Sequence, residues 1–203
     1  MSIANNFKNE FILSLSQLNK IIGSLIFAIT LLLIFAFGAK SFDNIQDFIV
    51  AIIAIITFIS VVYNESLRCG KEVESGFYQQ LILTASSVES FLLARISFGF
   101  LITLLICFVA IIFAQIFFDY LFAWQNYLCF ILFCLQIYII ALAFCLLTNL
   151  SENSNIIAIL LSFPVVIPVI IFLNNFSFLH LLGLFFIYTP ILLVVIKNAL
   201  RTA

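Results

Sequence analysis

Charged side chains, the groups most able to bind a partner or a polar ligand, are concentrated in one stretch of this chain. Of its eight basic and nine acidic residues, seven lie between Asn64 and Arg95: Glu65, Arg68, Lys71, Glu72, Glu74, Glu89 and Arg95. By contrast, the long segment from Asn153 to Ile196 carries no charge at all. Because charges are costly in hydrocarbon, we expect this stretch to lie outside the membrane and to carry the function.

The usual residue sets for catalysis or cofactor binding are missing from the sequence. It has no GxxxxGK[ST] loop for nucleotide phosphates, and its single histidine, His180, is too few for a zinc site or a protein-held haem. His180 is either an isolated interfacial residue or one axial ligand to a shared haem. We therefore expect a non-catalytic chain that binds no cofactor or metal directly. The cysteines contain no CxxC pair and are interpreted as packing residues.

The composition is that of a polytopic membrane protein. The chain is 66% hydrophobic and 8% charged, with a mean hydropathy of +1.33. At roughly 20 residues per spanning helix, about six helices account for the whole chain. We expect a single all-α transmembrane domain over residues 1–203, so an ATPase or catalytic domain must come from another chain. With a net charge of −1 and no block of like charges, the sequence shows no nucleic-acid footprint.

Uncharged segments predict where the six spanning helices lie. The second predicted span is short, so we expect its helix to extend through Gln46 or Glu65, or the bilayer to thin locally. The pair Asn174 and Asn175 predicts the turn that divides the last long apolar segment. The predicted spans are Ile21 to Ala39, Phe48 to Tyr63, Ile96 to Phe118, Tyr127 to Thr148, Asn155 to Leu173 and Leu179 to Ile196.

Basic residues predict the orientation. With six spans, Lys40 falls on one side of the membrane, and the remaining basic residues fall on the other: Lys8, Lys20, Arg68, Lys71, Arg95, Lys197 and Arg201. The positive-inside rule then places both termini and the loop after the second span in the cytoplasm. Near the N-terminus, Phe7, Phe11, Leu15 and Leu18 recur at helical spacing, which favours an interfacial helix over a frayed polar tail.

The loop after the second span shows the pattern of an amphipathic helix from Val73 to Val88. Its apolar stripe suits the membrane surface. Its polar side either does nothing more than face water or docks into another protein. In the docking interpretation, the residues that couple this chain to a partner ATPase are Glu72, Glu74, Gly76, Gln79, Gln80 and Leu81. Glu72 and Glu74 are predicted at the helix start, with Gly76 permitting a bend.

A few polar or helix-distorting residues lie within the predicted spans. Gln136 either lines a pathway or hydrogen-bonds to a neighbouring helix, which is the commoner role for such amides. Pro164 and Pro168 share one face of the fifth span and are expected to bend it, either as a packing feature or as a flexing point of a moving permease.

The loop also carries a resemblance to a known family. The stretch KEVESGFYQQLILTASSVESFLLARI resembles the signature of ABC-2 type permeases, and more closely that of haem exporter protein B (CcmB) of cytochrome c maturation. The double proline of LSFPVVIPVIIF is similar to the fifth span of that family. The sequence departs from the pattern in Gln79, where glutamate is usual, and in residues 84–88, which lack the usual prolines. The matching loop positions are Glu74, Gly76, Gln80, Leu81 and Leu83, with Ala94 and Arg95 where Ala-Lys is usual.

The resemblance implies a permease-like subunit of an ABC transporter complex for haem handling, in the inner membrane of a bacterium or a mitochondrion. ATP would be bound by a cytoplasmic CcmA-like subunit, and haem by associated CcmC-like, CcmD-like and CcmE-like proteins. Hydrolysis would drive release of the haem-loaded chaperone, or haem export. The resemblance leaves open a second copy of the chain as a partner. Two alternatives remain: an ABC-2 permease for a lipid-linked glycan or drug, and a non-transporting structural subunit.

Overall fold

The described part of the chain contains six long helices. The computed structural model describes residues 18–38, 48–78, 88–148 and 154–202. Within these ranges the helices are α1 (Leu18–Gly38), α2 (Ile49–Glu74), α3 (Val88–Phe118), α4 (Trp124–Thr148), α5 (Ser154–Asn174) and α6 (Phe178–Thr202). The predicted interfacial helix near the N-terminus and most of the predicted loop helix lie outside the described residues.

The helices have the length and composition of membrane spans. Five of them, α2 to α6, are long and apolar enough to cross a bilayer. Helix α1 has 21 residues, and its apolar part is shorter, running over Ile22–Gly38. Large apolar side chains stay exposed on the outside of the bundle, for example Ile34, Leu160, Leu179 and Phe186. The all-helical polytopic membrane fold predicted from composition is confirmed.

Two helices form the centre of the bundle. Helix α2 packs against α1, α3, α4 and α5, and α4 packs against α2, α3, α5 and α6. Both are therefore enclosed by protein on most sides, and α4 buries Phe133, Ile137, Ala141 and Cys145 completely. Among α2 to α6, helix α6 has the smallest buried share. Any side chain that α2 and α4 point at each other is thus shielded from both lipid and water.

Most predicted spans are correct, including the turn after α5. The chain turns at Asn175 and Phe176, and α6 begins at Phe178. Two predicted spans were too short, at the end of α2 and at the start of α3. Helix α2 continues past Tyr63 to Glu74, and α3 begins at Val88 rather than at Ile96. The predicted extension of α2 through Glu65 is confirmed. Charged residues that suggested loop are here part of helices.

The two prolines of the predicted fifth span do not interrupt its helix. Pro164 and Pro168 both lie inside α5, which continues to Asn174. Whether they act as a flexing point stays a prediction. All five cysteines are buried and free, as packing residues are.

Candidate functional site

A group of charged side chains is buried where the end of α2 meets the start of α3. Four polar residues follow one another along adjoining turns of α2, and Arg95 reaches them from the second turn of α3. Residues three, four and seven apart lie on the same side of a helix, which explains why the α2 members can share one partner. We call this group the Arg95 cluster; it consists of Glu65, Arg68, Cys69, Glu72, Tyr78, Arg95 and Tyr138.

Arg95 is the centre of the cluster. Its side chain is 1% exposed, and its guanidinium binds two carboxylates from different turns of α2. Nη2 donates to Glu65 Oε2 at 3.0 Å and lies 3.2 Å from Cys69 Sγ. Nη1 donates to Glu72 Oε2 and, at 3.2 Å, to the Tyr78 hydroxyl. One arginine therefore spans two turns of α2 and fixes α3 against it.

Glu72 is the second junction of the cluster. Its Oε1 accepts from Arg68 Nε at 3.0 Å, and its Oε2 accepts from both Arg95 and the Tyr78 hydroxyl. Tyr78 lies after the end of α2 and is 1% exposed. Burial raises the pKa of the Tyr78 hydroxyl, so it stays protonated and keeps donating to Glu72 at physiological pH.

Helix α4 joins the cluster through Tyr138. The Tyr138 hydroxyl donates to Glu65 Oε1 at 3.1 Å, so both carboxylate oxygens of Glu65 are occupied. The ring of Tyr138 lies directly against Gly99 of α3, where an added Cβ would overlap it. Because Gly99 has no side chain, the Tyr138 ring can lie against α3 while its hydroxyl reaches Glu65 of α2.

The cluster is electrically balanced and largely buried. Two arginines face two glutamates, so its formal net charge is zero. The small void lined by Glu65, Gly99, Thr103 and Tyr138 has no room for a water molecule. An unpaired buried ion costs several kcal/mol of stability, so each carboxylate in the cluster is paired with an arginine. The ions of the cluster therefore depend on one another: removing Arg95 leaves Glu65 without an ion-pair partner.

The predicted loop residues divide into two groups. Glu72 does not begin a surface helix as predicted; it lies in the last turn of α2 and points into the cluster. The negative end of the helix dipole disfavours a carboxylate there, and the two arginines offset that cost. Glu74 is exposed, and Gly76 forms a turn with φ of 66°, which glycine adopts without strain. Gln79, Gln80 and Leu81 lie outside the described residues.

Sequence reasoning missed the inner half of the site. Glu65 and Arg95 were counted as charges of a water-exposed stretch, yet they are 2% and 1% exposed. Tyr138 and Gly99 were not singled out. A signal for the pair did exist: Glu65 and Arg95 are opposite charges next to the apolar ends of consecutive spans, which is where two antiparallel helices meet.

Other candidate residues have simpler surroundings. Gln136 donates from Nε2 to the Leu181 carbonyl at 2.6 Å, which is a helix-to-helix contact between α4 and α6. His180 is exposed and stacks on Phe172 with ring centroids 5.0 Å apart. Within the part of the chain that the structure describes, no three His, Cys, Asp or Glu residues are placed to hold a metal ion.

No protein-family model, curated protein or solved structure matches the chain. The function is therefore inferred from the residues and from the geometry of the cluster.

The cluster predicts that two cation-to-methionine substitutions differ sharply. Arg95→Met leaves Glu65 and Glu72 buried without their common partner, and we expect it to cost about 3–5 kcal/mol of stability. Lys197→Met removes the cation of an ion pair on the outside, between Lys197 and the exposed Glu89, and should leave the melting temperature unchanged. Thermal unfolding of the purified chain in detergent measures both. Equal melting temperatures for the two variants would contradict the assigned burial.

A glycine pair tests the passage of Tyr138. Gly99→Ala inserts a Cβ into the Tyr138 ring, and we expect this overpacking to cost about 1–3 kcal/mol. Gly183→Ala on α6 is the matched control, because a Cβ there meets nothing within 4 Å. The same unfolding measurement applies. If Gly99→Ala were as stable as Gly183→Ala, Tyr138 would not occupy the position described.

Proposed function

We propose that this chain is the permease-like membrane subunit of an ABC transporter complex, which transmits ATP-driven movement of a partner subunit to its own helices. The observation that carries the proposal is the Arg95 cluster. It ties both ends of the loop between α2 and α3 to the centre of the bundle, so a force on that loop acts on the spanning helices.

The loop enters and leaves through members of the cluster. On the way out, Glu72 and Tyr78 flank the turn at Ser75 and Gly76. On the way back, Arg95 lies two turns into α3. Since Glu72, Tyr78 and Arg95 bind one another, the helical residues before and after the loop are joined by buried polar contacts. A partner that pushes on the loop moves α2 and α3 together.

The movement passes on to the centre of the bundle through Tyr138. Glu65 connects Arg95 of α3 to Tyr138 of α4, and α4 packs against α2, α3, α5 and α6. The route from loop to bundle thus runs through ion pairs and hydrogen bonds rather than through adaptable apolar packing. Such discrete, directional contacts suit a mechanical link between two arrangements of the helices.

The outer side of the α2 end is free for a protein partner. Lys71, Glu74 and Ser75 are exposed next to the turn at Gly76, while Glu72 on the same turn points inward. The end of α2 thus presents charges of both signs beside the turn at Gly76. A cytoplasmic ATPase subunit with complementary charges fits this surface, with Gln79, Gln80 and Leu81 of the loop as further contacts.

The haem-handling assignment rests on the resemblance to the CcmB family. In that role the chain binds neither ATP nor haem, and it works in an inner membrane beside an ATPase, haem-handling membrane subunits and a haem chaperone. Copurification from native membranes tests the assignment. Copurification of an ATPase together with haem-handling subunits supports the assignment. Copurification of an ATPase without haem proteins, or with glycan-processing enzymes, contradicts the proposed substrate class. If no ATPase copurifies, the coupling role is contradicted.

A charge reversal at an exposed site tests the docking surface itself. Glu74→Lys changes no described buried contact, so we expect normal insertion and an unchanged melting temperature, yet at least about tenfold less copurified ATPase, because a mismatched interfacial charge costs several kcal/mol. Maturation of cytochrome c should fall with it. The matched control is Asn175→Lys, an exposed substitution in the turn between α5 and α6, which should retain the partner. Full partner retention by Glu74→Lys would leave the loop as a membrane anchor only.

A further inference from the structure

A second feature, separate from the Arg95 cluster, is an apolar groove between the first turns of α3 and the last turns of α6. Its volume is 320 Å³, within the range of roughly 300–1,000 Å³ usual for small-molecule sites. Five apolar side chains line it, and one ion pair closes its end. The lining residues are Glu89, Leu92, Leu93, Ile96, Leu193, Val194 and Lys197.

The groove exists because α3 and α6 are held apart by α4, against which both pack. Across the gap, Lys197 Nζ donates to Glu89 Oε1 at 2.8 Å. This pair lies at the end of the groove nearest the loop, while Leu92, Leu93 and Ile96 extend it along α3. From Glu89 to Ile96 the groove runs about 10 Å, at ~1.5 Å per residue, from the helix end toward the middle of the span.

The ion pair itself is accessible. Its side chains are 40% exposed for Lys197 and 75% exposed for Glu89, so a ligand can reach both charges without unfolding any element. Lys197 and Glu89 both lie beside the apolar side chains that would contact a hydrocarbon tail. A ligand that matches this surface needs an anion for Lys197, a hydrogen-bond-donating cation for Glu89, and an apolar chain for the groove.

We propose that the groove binds one phosphatidylethanolamine molecule. Its phosphate pairs with Lys197, its primary ammonium donates to Glu89, and the upper part of one acyl chain lies against Leu92, Ile96 and Leu193. The headgroup thus exchanges the protein ion pair for two charge-assisted hydrogen bonds of the same kind. Phosphatidylcholine has no N–H to donate to Glu89, and phosphatidylglycerol has no cation at all. The site therefore selects for a primary amine.

Native mass spectrometry of the purified chain tests this proposal, with equimolar phosphatidylethanolamine, phosphatidylcholine and phosphatidylglycerol of identical acyl chains. We expect one phosphatidylethanolamine to be retained about tenfold over phosphatidylcholine, as for one charge-assisted hydrogen bond gained. Glu89→Gln should abolish the preference for phosphatidylethanolamine over phosphatidylcholine. Lys197→Gln should weaken retention of both of these lipids. Ile96→Trp, which fills the groove, should remove the bound lipid.

The control variant is Glu74→Gln, which removes an exposed carboxylate at the same end of the bundle but outside the groove, and should keep the preference. Equal retention of the three lipids, a preference for phosphatidylglycerol, or an unchanged preference in Glu89→Gln would overturn the proposal. So would a dimer of the chain that Ile96→Trp dissociates, because the groove would then be occupied by a second copy. None of these outcomes depends on an ATPase partner, so the lipid site and the proposed function can fail independently.

Discussion

The neutralisation of Arg95 is the constraint on which the arrangement of the central helices depends. A guanidinium with 1% exposure must be matched by acceptors at fixed positions, and these come from Glu65 and Glu72, two turns apart on α2. Apolar packing between helices tolerates small shifts in register. A guanidinium that donates to two carboxylates tolerates much smaller shifts, since displacing one helix by one residue would separate the charges.

Several otherwise unrelated features follow from that requirement. Helix α2 continues to Glu74 and α3 begins at Val88, because both partners must be held on rigid backbone to meet. Tyr138 occupies the remaining oxygen of Glu65, and Gly99 leaves space for its ring. The cluster joins the end of α2 to the start of α3, on either side of the loop between them, which is why a docking role is proposed for that loop.

Much of the fold was predictable from the sequence, because hydrocarbon thickness sets helix length and apolar segments show it directly. The turn near Asn174 and the C-terminal end of α4 at Thr148 followed from polarity alone, whereas α4 begins at Trp124 rather than at the predicted Tyr127. The ends of α2 and α3 did not, because counting charges treats Glu65 and Arg95 as separate costs, whereas in the structure each cancels the other. Pairing between helices distant in sequence, such as Tyr138 with Glu65, has no local pattern. Only the three-dimensional arrangement could reveal it.

The claim that Arg95 and Glu65 act as one buried unit is tested most directly by a double-mutant cycle. Unfolding free energies are measured for the parent chain, Arg95→Met, Glu65→Gln and the double variant in mixed micelles. The account predicts that the double variant is less destabilised than the two single effects together, with a coupling energy of about 1.5 kcal/mol or more. Additive effects, within about 0.5 kcal/mol, would contradict it, because independent charges would then explain the stability equally well.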